Sequence, residues 1–471
     1  MNEMRNGNRH LVFGRFFRQF SVRRIMRRIL IGLAGLIALI VVIYIEEDWR
    51  GNRVWENYKR SLAAKGEVLD WNAYIPAPVP DDQNVFKASR MTEWFGATYR
   101  NLHNPVTNEL AKSLSNLQTT ADLTNKSAAA NYLAWCEQFE PEFEMMRVAF
   151  NRPFVQLDGD YQQPLTIPVL NLTSMRTVAL TLTQRAKCQL LLGEPEKAWQ
   201  NLILLLDLGR LVPDKPTGKP MVINPYAIWA KRGIGMRAAD IIHRGLDLHA
   251  WQEPQLAVIE DRLKDIDFIG LEAESWKTVR TLETTTSFDF VYQVGLCEDQ
   301  YTNFWQRVKE PQNLFIWLAP RGWIYLWIVH LGDGFQKSAE TLAGIRGVLV
   351  PTQINQVTAR WPGREALPLL AFNQTMVNET RLACALERYY FAHNEYPESL
   401  DAIAPRYIGN IPHDLIGGKS LNYRRTEGGT FLLYSIGWNE TDDGGQAVSQ
   451  EDRPENLKKG DWVWKNPSKQ N

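Results

Sequence analysis

The sequence predicts a mainly α-helical protein that is held in a membrane by one N-terminal helix and ends in a small α+β module. Three observations lead to this fold class. An uncharged apolar run covers residues 29–45, apolar residues then recur at helical spacing through the middle of the chain, and this spacing changes to alternation near the C-terminus. Spacings of 3.6 and 2.0 residues belong to helices and strands. The pattern therefore predicts an anchor, an α-helical bundle or short solenoid, and a C-terminal region with a small sheet.

The run from Ile29 to Ile45 is predicted to be a transmembrane helix. Its length of about 26 Å falls slightly short of the hydrocarbon core of about 30 Å, so flanking residues complete the crossing. The run shows no polar face, which a helix on the surface of a soluble protein has. It also exceeds the apolar region of a typical signal peptide and has no A-x-A-like site after it. We therefore expect a retained, single-pass signal-anchor.

Charge on the two sides of the anchor predicts its orientation. Eight arginines and one acid, Glu3, lie in residues 1–28, whereas an acidic cluster follows at residues 46–48. By the positive-inside rule the basic tail is cytoplasmic and the rest of the chain is extracytoplasmic. The 53 basic and 53 acidic residues balance overall, so the part beyond the basic tail is mildly acidic. This charge argues against nucleic acid as a partner.

Residues 46–87 are predicted to connect the anchor to the next domain as an extended, proline-rich segment. A short helix is expected to continue from Trp49 to Ala64, and Pro76, Pro78 and Pro80 then forbid a helix. The stretch WENYKRSLAAKGEVLDWNAYIPAPVPDDQN resembles a segment near the start of membrane-anchored bacterial proteins. This resemblance implies no activity. It implies a bacterial inner membrane as the location, with the bulk of the chain in the periplasm.

Residues 88–349 are predicted to form a helical domain. One apolar face runs from Met175 to Leu190, Gly193 is placed to end that helix, and Pro195 is placed to open the next one. The stretch AKCQLLLGEPEKAWQNLILLLDLG resembles a single tetratricopeptide-type (TPR) hairpin. No second copy recurs at the usual spacing of about 34 residues, so the resemblance implies a TPR-like domain without a repeat array. Further helices are predicted at residues 225–248, 254–266 and 269–291.

Two short motifs in this domain have a structural and a functional interpretation. Residues 233–238 fit the dinucleotide fingerprint G-x-G-x-x-A, but helical residues precede them where a strand is required, so we interpret them as helix packing. Asp158 and Asp160 flank a glycine and have the chemistry of calcium ligands. A surface turn uses the same residues, and the turn is the interpretation we favour.

An apolar, aromatic stretch follows at residues 314–335. Pro320 divides it into pieces too short to cross a membrane, so we expect a buried helix of the bundle. The alternative is an aromatic surface that faces the membrane, carried by Trp317, Trp323 and Trp327.

Proline residues in 350–368 mark a linker, and residues 369–471 are predicted to form a separate α+β module. A long helix starts near Leu369, with Glu379 on the face expected to be solvated. A β-hairpin is predicted around residues 427–429, and Trp462-Val-Trp464 is predicted to add a third strand.

The runs ALERYYFAHNEYPESLDAIAP, LLYSIGWNETDDGG and GDWVW resemble the globular half of type II secretion major pseudopilins. The resemblance covers about the last quarter of the chain, and the prepilin leader of that family has no counterpart here. It implies a calcium loop, whose ligands would be Asn439, Asp442, Asp443 and Asp461. An exposed acidic β-turn is the alternative interpretation.

No metal-protease, serine-hydrolase or phosphate-loop motif occurs, and the seven histidines are scattered. The sequence therefore predicts no catalytic or cofactor-binding residue. The hypothesis we favour is a non-catalytic extracytoplasmic scaffold or assembly protein that binds other envelope proteins, with a link to secretion. The alternative is an extracytoplasmic hydrolase with a carboxylate site, such as a glycosidase. The pairing of the four cysteines stays open.

Overall fold

The computed structural model describes residues 10–98, 109–115, 125–162, 164, 167–296, 319–345, 347–352, 367–446 and 456–464. The described residues are mainly helical, with 65% helix and 6% strand, and they contain one long apolar N-terminal helix and a small antiparallel sheet. These features confirm the predicted fold class at that level. The described residues belong to two compact units, which comprise Met1–Leu69 with Ser287–Leu331, and Asp70–Thr286 with Gly332–Asn471.

The first unit is built on helix α1, His10–Ala64. Within the described part of the chain, α1 is the one helix long and apolar enough to cross a membrane. Its large apolar side chains between Ile29 and Ile45 are exposed, as expected of residues that face lipid. The helix continues without a break past Glu46, so the first part of the predicted 46–87 connection is helical and only residues after Ala64 are irregular or 3-10 helical.

The second unit contains most of the helices. They are α2 (Met91–Phe95), α3 (Glu109–Ser115), α4 (Lys126–Cys136), α5 (Glu140–Phe150), α6 (Leu172–Leu191), α7 (Pro195–Gly209), α8 (Pro225–Asp247), α9 (Glu253–Leu263), α10 (Phe268–Leu296), α11 (Arg321–Gly344) and α12 (Leu367–His393). Helix α10 continues into the first unit at Ser287, and α11 begins in that unit. Several helices begin where the sequence offers a cap: the Asn171 side chain accepts from Ser174 N–H, and Asn224 precedes Pro225.

Helices α6 and α7 form the predicted antiparallel pair. Gly193 has a φ of +78° in the turn between them, a conformation that glycine adopts without a Cβ clash, and Pro195 opens α7. The end of α7 is held by the buried ammonium of Lys231, which donates to the Gly209 and Val212 carbonyls and to Asp214 at 3.0, 2.6 and 2.6 Å. Whether this pair is part of a TPR-like domain stays a prediction.

The three strands of the C-terminal sheet are β3 (Asn422–Arg425), β4 (Phe431–Ser435) and β5 (Trp462–Trp464), in the antiparallel order β3-β4-β5. The hairpin and the third strand were both predicted from alternation. A two-stranded antiparallel sheet pairs β1 (Gly96–Thr98) with β2 (Pro168–Leu170). It joins residues on either side of α3, α4 and α5.

Helix α12 packs on two sides. Leu370 and Cys384 belong to the main core with α8 and α9, whereas Leu382 and Leu386 pack with the sheet. An ion pair between Arg381 and Glu260 of α9, at 2.8 Å, fixes the same contact. The module predicted at 369–471 therefore shares a core with the preceding helices. Its ability to fold alone stays a prediction.

Burial corrects two of the sequence predictions. Glu379 has no exposed surface, so its assignment to a solvated face of α12 was wrong. Trp323 and Trp327 of α11 are exposed, so the expectation of a buried helix at 314–335 was wrong for these two rings, and Trp317 lies outside the described residues. The glycine motif at 233–238 is helical, as predicted, within α8.

Candidate functional site

A groove of about 470 Å³ opens between α8, α12 and β5 in the second unit. This volume is within the range of about 300–1,000 Å³ that is usual for ligand pockets. Its walls are mainly apolar and aromatic, with a few polar groups. The lining residues are Trp229, Arg232, Gly233, Met236, Arg237, Ala239, Asp240, His243, Leu369, Phe372, Asn373, Met376, Val463 and Trp464.

Helix α8 provides one wall because its lining residues recur every three or four positions. Trp229, Gly233, Met236 and Asp240 lie one turn apart on a single face of the helix. Gly233 widens the groove in the middle of this face, since a Cβ added there would meet no atom within 4 Å. The glycines that resemble a nucleotide motif thus shape a groove wall.

Helix α12 and strand β5 provide the opposite wall and one end. Phe372 of α12 packs edge-on against Trp462, with ring centroids 5.5 Å apart, and this contact holds β5 beside the helix. The next aromatic residue of the strand, Trp464, lies 5.2 Å from the His243 ring of α8. The end strand of the C-terminal sheet therefore lies in contact with residues from both long helices.

Positive charge dominates the polar part of the groove. Arg232 is 4% exposed, and its Nε and Nη1 atoms have no hydrogen-bond partner among the described residues. Its guanidinium lies 5.7 Å from the Trp229 ring, a cation–π contact that orients it. Arg237 adds a second cation to the wall, and the lining acid, Asp240, forms an ion pair with Lys187.

Glu272 of α10 does not line the groove, but its charge acts on Arg232. Burial raises the pKa of Glu272 to about 7, and the charge of Arg232 limits that rise. Burial lowers the pKa of Arg232, and the charge of Glu272 opposes that change. Arg232 thus has one buried acid as an electrostatic partner and no hydrogen-bond partner at Nε and Nη1 among the described residues, so it favours a negative group in the groove.

A second cleft, of about 210 Å³, lies beside α7, α8 and α9. Its acids are Asp214, Asp261 and Asp265, and each of them forms an ion pair with a lysine: Lys231, Lys264 and Lys215 respectively. This cleft therefore offers no pair of free acids for the glycosidase hypothesis.

A histidine and a buried acid meet outside both clefts. His249 Nδ1 lies 2.7 Å from a carboxylate oxygen of Glu387, and Tyr396 donates to the other oxygen at 2.7 Å. His249 is more than half exposed, whereas Glu387 is buried. A base held by a carboxylate is the arrangement that hydrolases use. The same contact also joins the turn after α8 to α12.

Three of the predicted calcium ligands lie in the loop after β4, and the fourth, Asp461, lies immediately before β5. Asp461 is buried and accepts hydrogen bonds from Gly445 N–H at 2.7 Å and Asp443 N–H at 3.2 Å. Asn439 donates its side-chain amide to Asp443 at 3.0 Å, and Asp442 accepts from Tyr434 O–H at 3.0 Å. Hydrogen bonds join Asn439, Asp443 and Asp461 to one another, whereas Asp442 is bonded to Tyr434 and to the loop backbone.

The carboxylates of this loop act on the pKa of Asp461. Burial raises the pKa of Asp461, the two backbone N–H groups oppose the rise, and the charges of Asp442 and Asp443 add to it. A cation would relieve that repulsion. Among the described residues, however, no three His, Cys, Asp or Glu side chains are grouped so as to hold a metal ion. Calcium binding by Asn439, Asp442, Asp443 and Asp461 stays a prediction.

The other residues considered from the sequence have structural partners. Asp158 forms an ion pair with Lys87 at 2.8 Å, and Asp160 accepts from Gln162 N–H at 2.8 Å, as a turn does. The cysteines Cys136, Cys188 and Cys384 are free and buried, and Cys297 lies outside the described residues. The chain matches no protein-family model, no curated protein and no solved structure.

Proposed function

We propose that this protein is a non-catalytic, membrane-anchored scaffold on the extracytoplasmic side of the bacterial inner membrane, and that the groove between α8 and α12 binds a segment of a partner protein. The observation that carries this proposal is the groove itself, with an apolar wall on each side and the buried Arg232 in one of them. The pseudopilin resemblance of residues 369–471 supports a link to secretion.

The chemistry of the groove indicates what the partner segment contains. Trp229, Met236 and Phe372 offer apolar surface, and flexible methionine side chains adapt to a partner's side chains. Arg232 offers positive charge, and the acid that lines the groove, Asp240, is already paired with Lys187. We therefore expect the partner segment to be extended and to have an acidic side chain between apolar ones. Such a segment matches both the apolar surface and the positive charge of the groove.

Photocrosslinking in native membranes tests this proposal. Trp229 lies at the rim of the groove and is 51% exposed, so the crosslinking amino acid benzoylphenylalanine fits at that position. We expect irradiation to give one discrete protein adduct. The matched control is Leu248, which is 53% exposed and does not line the groove. Equal adduct patterns from the two positions, or no adduct from Trp229, would contradict the proposal.

The proposed orientation makes a separate prediction. Because the arginine-rich tail precedes the anchor, alkaline phosphatase fused after Trp464 is expected to be active. This enzyme is active only outside the cytoplasm, so phosphatase activity in intact cells reports the side of the membrane. An inactive phosphatase fusion and a fluorescent cytoplasmic reporter at the same position would together show that the orientation is reversed.

The alternative function, an extracytoplasmic hydrolase, is favoured by one observation, the His249 and Glu387 pair. Neither residue lines the 470 Å³ groove, and Glu387 is also bound by Tyr396. A base needs a substrate site within hydrogen-bond reach. The scaffold therefore accounts for the groove, whereas the hydrolase leaves the groove without a role.

A further inference from the structure

We propose that Trp323 and Trp327 of α11 form a second membrane-contact surface, which lies in the headgroup region of the bilayer that α1 crosses. This surface is distinct from the groove and goes beyond the scaffold function. Its occupant is phospholipid. The inference rests on where these rings are held relative to the end of the apolar run of α1, all within the first unit.

The start of α11 is attached to α1 immediately after the apolar run. Gly322 N–H donates to the Asp48 carboxylate at 2.9 Å, and the Trp323 indole N–H donates to the Glu47 carboxylate at 3.0 Å. Glu47 is two residues beyond Ile45, which is about 3 Å along a helix axis. If residues 29–45 span the hydrocarbon core, Trp323 is therefore held at its edge.

Two glycines make this attachment a direct backbone contact. A Cβ added to Gly51 would lie 2.3 Å from the Gly322 Cα, and a Cβ added to Gly322 would lie 1.8 Å from the Glu47 carbonyl oxygen. Both separations are far below van der Waals contact, so only glycine allows the backbones to approach this closely. Tyr325 stacks on Trp55 of α1 with ring centroids 6.3 Å apart, which extends the contact by one turn.

Beside this contact, the surface of α11 is aromatic and exposed. Trp323 and Trp327 are 42% and 51% exposed and lie one turn apart, and Trp49 of α1 is 62% exposed. Ile328, by comparison, is fully buried. Exposed His330 continues the face. Tryptophan rings concentrate at membrane interfaces, where the ring meets the acyl boundary and the indole N–H meets polar groups.

The geometry explains why these indoles are exposed at this height. A large apolar ring in water is unfavourable, whereas the same ring at the headgroup level is removed from water without losing its hydrogen bond. Glu47 already satisfies the Trp323 N–H. Trp323 gives the anchor a second contact with the bilayer about two residues beyond the span, and Trp327 continues that contact one turn further out.

Spin-label depth measurements on the full chain in phosphatidylcholine vesicles test the proposal. A label on Trp327→Cys is expected to be reached by oxygen and by a water-soluble nickel complex in the proportion typical of the headgroup region. Ile37→Cys provides the deep reference in the middle of the run, and Asn57→Cys provides the aqueous one, about 18 Å beyond Ile45. We expect the relative accessibility to oxygen and nickel at position 327 to lie between the values at positions 37 and 57.

A second variant controls for any change in the fold that results from the loss of Trp327. His330→Cys carries the label one turn further along the same exposed face and keeps both rings. Because α11 runs from Glu47 toward Trp55, we expect this label to lie further from the hydrocarbon core than the one at 327, close to the level of Asn57. A nickel accessibility at 327 equal to those at 330 and Asn57 would place the face in water and overturn the proposal. Labels that neither reagent reaches would show a covering protein, which also overturns it.

Discussion

Glu379→Met is expected to raise the free energy of unfolding by about 2–4 kcal/mol at pH 8, and by much less at pH 4. Glu379 is fully buried, and neither carboxylate oxygen has a hydrogen-bond partner among the described residues. Burial and the nearby charge of Asp414 raise the pKa of Glu379 well above its usual value, and the Ser435 backbone N–H, which approaches the carboxylate without meeting hydrogen-bond geometry, only moderates that rise. A methionine of similar length removes the buried acid without leaving a cavity.

The sign of the pH dependence follows from the raised pKa. The folded chain keeps a proton on Glu379 that the unfolded chain releases near its ordinary pKa of 4.5. The resulting stability is fully present below that pH and is lost as pH rises toward the folded pKa. Asp414 also has a raised pKa because of its burial, so some slope remains in the variant. Urea denaturation of the purified protein at pH 4, 6 and 8 measures the difference.

Glu379→Gln is the matched control for this experiment. It removes the titration and keeps a buried polar group, so we expect a shallower pH dependence than in the parent without the full gain of methionine. If Glu379→Met has the same pH slope as the parent protein, Glu379 is not the protonated group that this account requires.

Gly245→Ala is expected to destabilise the protein by about 2–4 kcal/mol, whereas Gly233→Ala in the same helix is expected to stabilise it by about 0.5–1 kcal/mol. A Cβ on Gly245 would lie 2.0–2.4 Å from three atoms of the Trp251 ring. That ring is 2% exposed, and its N–H donates to the Ile242 carbonyl at 3.0 Å. The ring cannot move without losing both its packing and its hydrogen bond.

Gly233 provides the comparison because its Cβ would point into open space. Alanine there only removes the conformational entropy that glycine adds to the unfolded chain. Thermal unfolding of the two variants, side by side, measures the contrast. Equal melting temperatures would show that Trp251 does not pack against Gly245 as described.

The sequence predicted the elements well where periodicity is strong. The hairpin between β3 and β4, the start of α12 and the pair α6 and α7 all follow from spacing, glycine and proline, which act over a few residues. These signals are local, so they indicate the type of an element and where it ends. They do not indicate which faces of distant helices meet.

The groove was missed for that reason. Its walls come from α8, α12 and β5, so residues as far apart as Arg232 and Trp464 form one surface. Glu379 was misplaced because a charged residue is normally solvated, and the exception depends on tertiary packing. The His249 and Glu387 contact joins residues 138 positions apart, and neither residue has a local signal.

Trp323 and Trp327 were expected in a buried helix, and the structure exposes them. An apolar helical stretch predicts burial, but the rings are exposed, and the start of α11 is attached to α1 just past its apolar run. The sequence contained one usable signal, since Gly51 and Gly322 both lie where a helix would otherwise carry a side chain. Only the contact between them shows that signal to be meaningful.

Blocking the groove tests the central claim most directly. Gly233→Leu places a side chain in the open middle of the groove, and Gly334→Leu makes the same change at an exposed position in α11 where a Cβ also meets nothing within 4 Å. We expect the adduct formed from benzoylphenylalanine at Trp229 to fall at least about tenfold with Gly233→Leu, which corresponds to about 1.4 kcal/mol of lost binding. Gly334→Leu should leave it unchanged. An adduct of undiminished yield in Gly233→Leu would contradict the assignment of this groove as the partner-binding site.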